Sequence, residues 1–219
     1  MLHIIRAALR KFIQLDDTPN SYSGLAGKLF KVKSDESGLE PSTNTDSEIA
    51  DAVNVAANVM EKIAEVEVSS DTDYVEFTGL DGNSAWFYVL FASIKNPTSN
   101  NSEYYLFVNG DTTTTNYYTQ SIYANGTTIA TTNVNLSRLG HCTSGKSLIA
   151  NVTISKDAAD YFRAISLCNR ESPTNLYPHL NFIAKSATIT NITSLRIQAE
   201  TASAIGAGSK FILFKVRRA

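Results

Sequence analysis

Imidazole or thiol chemistry in this 219-residue chain would have to be built from three histidines, His3, His141 and His179, and two cysteines, Cys142 and Cys168. They lie far apart, so a zinc site or a Ser-His-Asp triad would need assembly from lone residues. The adjacent pair His141-Cys142 has the composition of a base and its nucleophile. Neighbours on a strand point to opposite faces, however, which is poor geometry for that role. His141 reads instead as a loop residue following Leu139-Gly140. Asp71, Asp73, Asp81 and Asp111 carry the oxygens that calcium prefers but lack EF-hand spacing, and turns use Asp for hydrogen bonds of their own. Glycoside hydrolysis needs two facing carboxylates, and carboxylates are sparse in the strand-rich region from residue 69 onward. No Lys-Ser/Thr pair opens a helix after Gly24, Gly27 or the Gly206/Gly208 pair, as a phosphate loop requires. The expectation is a protein that is not an enzyme, with no catalytic residue, no metal ligand and no cofactor.

Composition supports a packed β-rich domain. Hydrophobic residues make up 43% and charged residues 18%, and the net charge of −2 gives no reason to expect a nucleic-acid partner. Ten Tyr and ten Phe accompany many Ser, Thr and Asn, a mixture suited to half-buried sheets and to surfaces that meet sugars or proteins. Two cysteines are too few for a disulfide-stapled scaffold, and a pair of buried thiols is the plainer expectation. No stretch approaches the roughly 20 apolar residues of a membrane span.

Four pieces separate along the chain. Met1–Leu15 is basic and amphipathic, with Ile5, Leu9, Phe12 and Ile13 on one helical stripe, and reads as an anchor docked on a partner surface. Residues 16–43, rich in Ser, Gly, Pro and Asp, read as an extended linker. Residues 44–68 read as a helix, capped by Thr45 or Asp46, with Glu48 and Asp51 in its first turn. Ile49, Val53, Ala56, Met60 and Ile63 give it a 4-3-4-3 seam of the coiled-coil type, with fewer than three full heptads. Residues 69–219 read as a β domain, with strands near 74–78, 85–94, 104–108, 119–123, 147–155, 161–168, 180–187, 194–198 and 210–216. Turn signals such as Asp81-Gly82-Asn83, Asn109-Gly110 and Asn125-Gly126 separate them. Many short strands without intervening helices mean an antiparallel sandwich or barrel. The run Ala85–Phe91, apolar at successive positions, predicts a central strand covered on both faces.

Three segments resemble proteins of phage and prophage virions, the surface fibres, spikes and tail components. Asp17-Thr18-Pro19-Asn20-Ser21-Tyr22-Ser23-Gly24, continuing through Ala26-Gly27-Lys28 to Gly38-Leu39-Glu40, is similar to a module that precedes their distal domain. Phe107-Val108-Asn109-Gly110-Asp111 with Asn116-Tyr117 resembles a signature of their β-sandwich domains, here with four threonines where Gly or Ser is usual. Ile192–Ile197 followed by Gly206–Phe214 resembles the ending of the same domains, with Phe214 and Lys215 in place of the usual Tyr and Gly.

The resemblance implies a jelly-roll-like sandwich, commonly trimeric, in a viral structural protein at the virion surface. The resulting expectation is a homo-oligomer, a trimer joined through Ile49, Val53, Ala56, Met60 and Ile63. Ile5, Leu9, Phe12 and Ile13 would anchor it to capsid, tail or baseplate proteins, and the sandwich would meet a host-surface glycan or protein. The alternative is a carbohydrate-binding lectin-like module, with Tyr117, Tyr118 and Tyr123 as stacking platforms and Asn109 and Asp111 as hydroxyl partners.

Overall fold

The computed structural model of the chain describes residues 28–32, 39–45, 60–125, 128–171 and 176–217. Two compact units divide at Val59/Met60. In the first, β1 (Lys28–Val32) and β2 (Leu39–Thr45) form an antiparallel hairpin with a bulge between Lys28 and Phe30. Part of the expected linker is therefore strand. Pro41 is accommodated because a two-stranded ribbon leaves each strand one open side.

The second unit is an antiparallel β-sandwich of two unequal sheets. Its strands are β3 (Met60–Glu67), β4 (Tyr74–Phe77), β5 (Ala85–Lys95), β6 (Ser102–Val108), β7 (Tyr117–Asn125), β8 (Thr128–Val134), β9 (Arg138–Cys142), β10 (Ser147–Lys156), β11 (Tyr161–Glu171), β12 (Leu176–Thr188), β13 (Leu195–Ala199) and β14 (Lys210–Arg217). The larger sheet runs β3-β14-β5-β10-β11-β12-β7-β8 and the smaller β4-β13-β6-β9. All nine strands expected from aromatic and β-branched runs are present. β3, β8 and β9 are additional.

The predicted helix fails at both ends that can be described. Thr45 belongs to β2, and Met60 and Ile63 belong to β3. From Ala64 to Val68 the chain also alternates small or apolar residues with Glu, and that period-2 pattern prevails because β14 supplies a ladder. Val66 pairs with Phe211 and Ala64 with Leu213, while a bulge at Ile63 absorbs the register shift. Glu67 and Glu61 meet Lys210 and Arg217 across the pair at 3.3 and 2.7 Å. Fewer than three heptads would have formed only a marginal helix in water. Ile49, Val53 and Ala56, like the anchor residues Ile5, Leu9, Phe12 and Ile13, lie outside the described residues.

The core fills the space between the sheets. Tyr104, Leu106, Leu139, Leu148, Phe162 and Phe211 are all fully buried. Phe107, Tyr117 and Phe162 form a chain of edge-on rings with centroids 5.4 and 6.4 Å apart. The strand buried along nearly its whole length is β6, not β5. β5 is central in its sheet, but it alternates. Tyr88, Leu90, Ala92 and Ile94 point inward, while Trp86 is 62% exposed and Phe87 and Phe91 are also exposed.

Candidate functional site

The smaller sheet ends at β9, and polar side chains from the larger sheet hold that strand. The Leu139 carbonyl accepts from Ser166 Oγ at 2.7 Å and from Asn181 Nδ2 at 3.0 Å, and Ser121 Oγ donates to Asn181 Oδ1 at 2.6 Å. Thr119 Oγ1 donates to the Leu136 carbonyl at 2.6 Å and accepts from Arg138 N at 2.9 Å. These Ser, Thr and Asn side chains are buried, so each bond removes a desolvation penalty as well as positioning the strand.

Beyond this seam the inward positions become aromatic and ionisable, and the sheets part to leave a cleft of about 380 Å³. β7 contributes Tyr123 and β12 contributes Tyr177 and His179, while Glu103, Arg138 and His141 come from β6 and β9. Tyr123 and His179 are register partners, and their rings stack at 5.1 Å with an 11° tilt. Arg138 Nη2 donates to Glu103 Oε1 at 2.5 Å, with both side chains less than one-fifth exposed. Nearby Tyr105 has its phenol pushed above its usual range, first by burial and then by the Glu200 and Glu103 carboxylates. A charge-neutral Arg–Glu pair, two imidazoles and phenol rings offer donors, acceptors and apolar faces together. That combination suits a ligand that is polar at its edges and flat on one side.

His141 is a strand residue that lines this cleft, not the loop residue its sequence context predicts. Cys142 beside it is buried, on the opposite side of β9. The pair therefore cannot act on one substrate atom. Cys168 is likewise a buried thiol, its pKa raised to about 12 by burial, which outweighs the hydrogen bonds to Ser166 and Asn181. Among the described residues no three His, Cys, Asp or Glu side chains converge as metal ligands would.

The five glycan-contact candidates do not share one surface. Tyr117 is only 1% exposed, leaving no ring face for a sugar, whereas Tyr118 next to it points outward. Strand alternation separates them. Only Tyr123 reaches the cleft. Asn109, at φ 54°, is occupied: its Oδ1 accepts from Thr193 N, Thr193 Oγ1 and Ser194 N at 2.8–3.3 Å, and its Nδ2 donates to the Asn191 carbonyl.

Asp111 accepts from Lys185, from Asn116 Nδ2 at 2.9 Å and from Thr113 N at 3.1 Å. Burial pushes its carboxyl up, but the hydrogen bonds from Lys185, Asn116 and Thr113 and the Lys185 charge prevail and hold it at about 2. The Tyr117 hydroxyl closes the loop by donating to the Asp111 carbonyl at 2.9 Å. These residues build the crossing from β6 to β7. Glu103, Arg138, His141, Tyr177 and His179 carry no spacing signal in the sequence, because the strands that supply them meet only through the fold.

Comparison with protein-family models and with curated proteins finds no match to this chain.

Proposed function

We propose that this chain is a structural component of a virion surface, anchored through Met1–Leu15 and displaying its sandwich toward the host. The observation that supports this most is a contact. Two of the three segments that resemble virion proteins are joined through Asn109, whose side chain makes four hydrogen bonds to Asn191, Thr193 and Ser194. Segments separated by more than 80 residues would share a resemblance for one reason if both build the same crossover. The reading includes a homo-oligomer, a trimer by resemblance, with Ile5, Leu9, Phe12 and Ile13 inserted into a capsid, tail or baseplate partner. Burying four such side chains contributes roughly 1.5–3 kcal/mol each. Deleting Met1–Leu15 should leave the β-rich circular dichroism spectrum unchanged and abolish incorporation into particles. Normal incorporation of the shortened chain would end this reading.

The cleft favours a second reading, a lectin-like module. Tyr123, Tyr177 and His179 supply apolar ring faces and hydrogen-bonding edges, and Arg138, Glu103 and His141 face them. A glycan array probed with the full chain separates the two readings. Tyr177→Ala should lower any glycan signal at least ~10-fold, as expected when a stacking contact is removed. Strong glycan binding by a chain that never associates with particles would favour the lectin.

A further inference from the structure

The outer face of the eight-stranded sheet is more apolar than a solvated face should be. Ile149 is 55% exposed, Leu167 54% and Phe182 41%, and Phe91, Ile122 and Ile165 are exposed with them. The strand register orders them. One row across the sheet reads Ile212, Phe91, Asn151, Leu167, Leu180, Ile122, and the next reads Phe214, Val89, Thr153, Ile165, Phe182, Gln120. Neither row contains a charge until it reaches β3, where Glu65 and Lys62 stand. Between β11, β12, β7 and β8 the face sinks into a groove of about 520 Å³ lined by Tyr118, Ile165 and Phe182, with Arg163 on its wall. Charges on this face are paired. Glu67–Lys210 and Lys62–Glu65 pair along the β3 side, and Arg163, at the groove wall on β11, is neutralised by Asp157 at 2.9 Å.

We infer that this face is where copies of the chain associate, the occupant of the face being the same face or groove of a second copy. Two properties point to a second copy. A centre depleted of charge, with the charges that remain paired, is the anatomy of a protein–protein interface, and a surface with no net charge can oppose itself without repulsion. Extent is the other. Six strands about 4.8 Å apart and three pleat rows about 6.8 Å apart, the third carrying Ile149 between Ser93 and Asn169, give a footprint on the order of 500 Å². That footprint lies toward the top of the range of about 300–600 Å² for a monomer's largest apolar patch, a size at which such patches are often functional. Side-chain relief brings the accessible area nearer the roughly 800 Å² per partner of a standard interface. Sheets packed face to face across about 10 Å would bury these rows. The inference deepens the homo-oligomer part of the proposed function and replaces the helical seam as the contact; it is independent of virion incorporation.

The test is light-scattering mass measurement on the full chain, whose protomer is 23.9 kDa. The wild type should elute as an oligomer at micromolar concentration, and Leu167→Glu and Phe182→Asp should each weaken association roughly 100-fold by stranding a charge in a dry interface. Both positions are exposed in the protomer, so the circular dichroism spectrum should not change. Asn151→Cys, a mild change at the centre of the patch, gives a second measurement. A short bismaleimide should link copies through it, because Cys142 and Cys168 are buried. An oligomer that survives both charged variants and does not cross-link at position 151 overturns the inference but leaves the homo-oligomer reading intact. A monomeric wild type, whatever covers the face, overturns both.

Discussion

Among the described residues Lys185 is the charged residue that is buried, and Asp111 is its carboxylate partner. The Lys185 side chain is 9% exposed, lies 5.0 Å from the Tyr117 ring centroid and has Asp111 as its carboxylate partner. Asp111→Asn keeps the size but leaves a buried ammonium without its counter-charge, which should cost roughly 3 kcal/mol at pH 7. The pH dependence has a definite sign. The Asp111 carboxyl stands at about 2, below its ordinary value of 3.8, so its stabilising contribution is complete above that value and fades as pH falls from about 4 toward 2. Urea midpoints measured from pH 7 to pH 2 should fall more steeply across that window for the wild type than for Asp111→Asn. Parallel profiles would mean that the ion pair contributes nothing. The sequence exposes Asn109, Asp111 and Tyr117 as a motif but not their purpose. As isolated residue types they suggest a sugar site, and only their partners at 185 and 191–194 show that they hold a crossover together.

At the scale of elements, strands are legible where side-chain chemistry agrees with the ladder. Tyr104–Val108 and Ala85–Ile94 are aromatic and β-branched and are bounded by Asn-Gly or Asn-Pro turns, so local and tertiary preferences coincide. β8, with the sequence TIATTNV, has a loop-like content of Thr and Asn and becomes a strand because β7 offers its free edge. β9 carries Gly140 in its middle, a residue strands usually avoid. A Cβ there would sit 2.9 Å from Leu148 Cδ2 and 3.1 Å from Cys168 Sγ, so the glycine lets β9 lie close on the larger sheet. Gly140→Ala should therefore destabilise the sandwich by about 1–3 kcal/mol through overpacking, read as a lower urea midpoint at unchanged slope. A gain in stability, as expected for Gly→Ala at an unstrained exposed strand position, would show that the sheets can move apart freely there. β3 was hidden for another reason. Its spacing satisfies two periods at once, and a seam of Val, Ile and Ala reads as helical until a neighbouring strand is supplied.

For the whole molecule, fold class follows from composition and turn spacing, but the domain boundary does not. A break at Ser69 respects the apparent helix, whereas the compact unit begins at Met60. The two boundaries predict different behaviour. In a fragment starting at Met60, β3 pairs along β14, and Ala64, Val66 and Val68 complete one margin of the core. In a fragment starting at Ser69, the β14 backbone loses its partner on that side, Phe211 and Leu213 lose the cover of Val66 and Ala64, and the backbone bonds of Val68 with Ser209 and Gly208 disappear. An unpaired apolar edge of this kind recruits other chains. Residues 60–219 should thus give a single cooperative melt and a sharp elution peak. Residues 69–219 should melt at least ~10 °C lower, the shift expected for a loss of several kcal/mol in a domain of about 150 residues, and should aggregate on standing. If both fragments melt together, the edge strand adds nothing to the domain, and residues 60–68 are free to take the helical role their heptad spacing suggests.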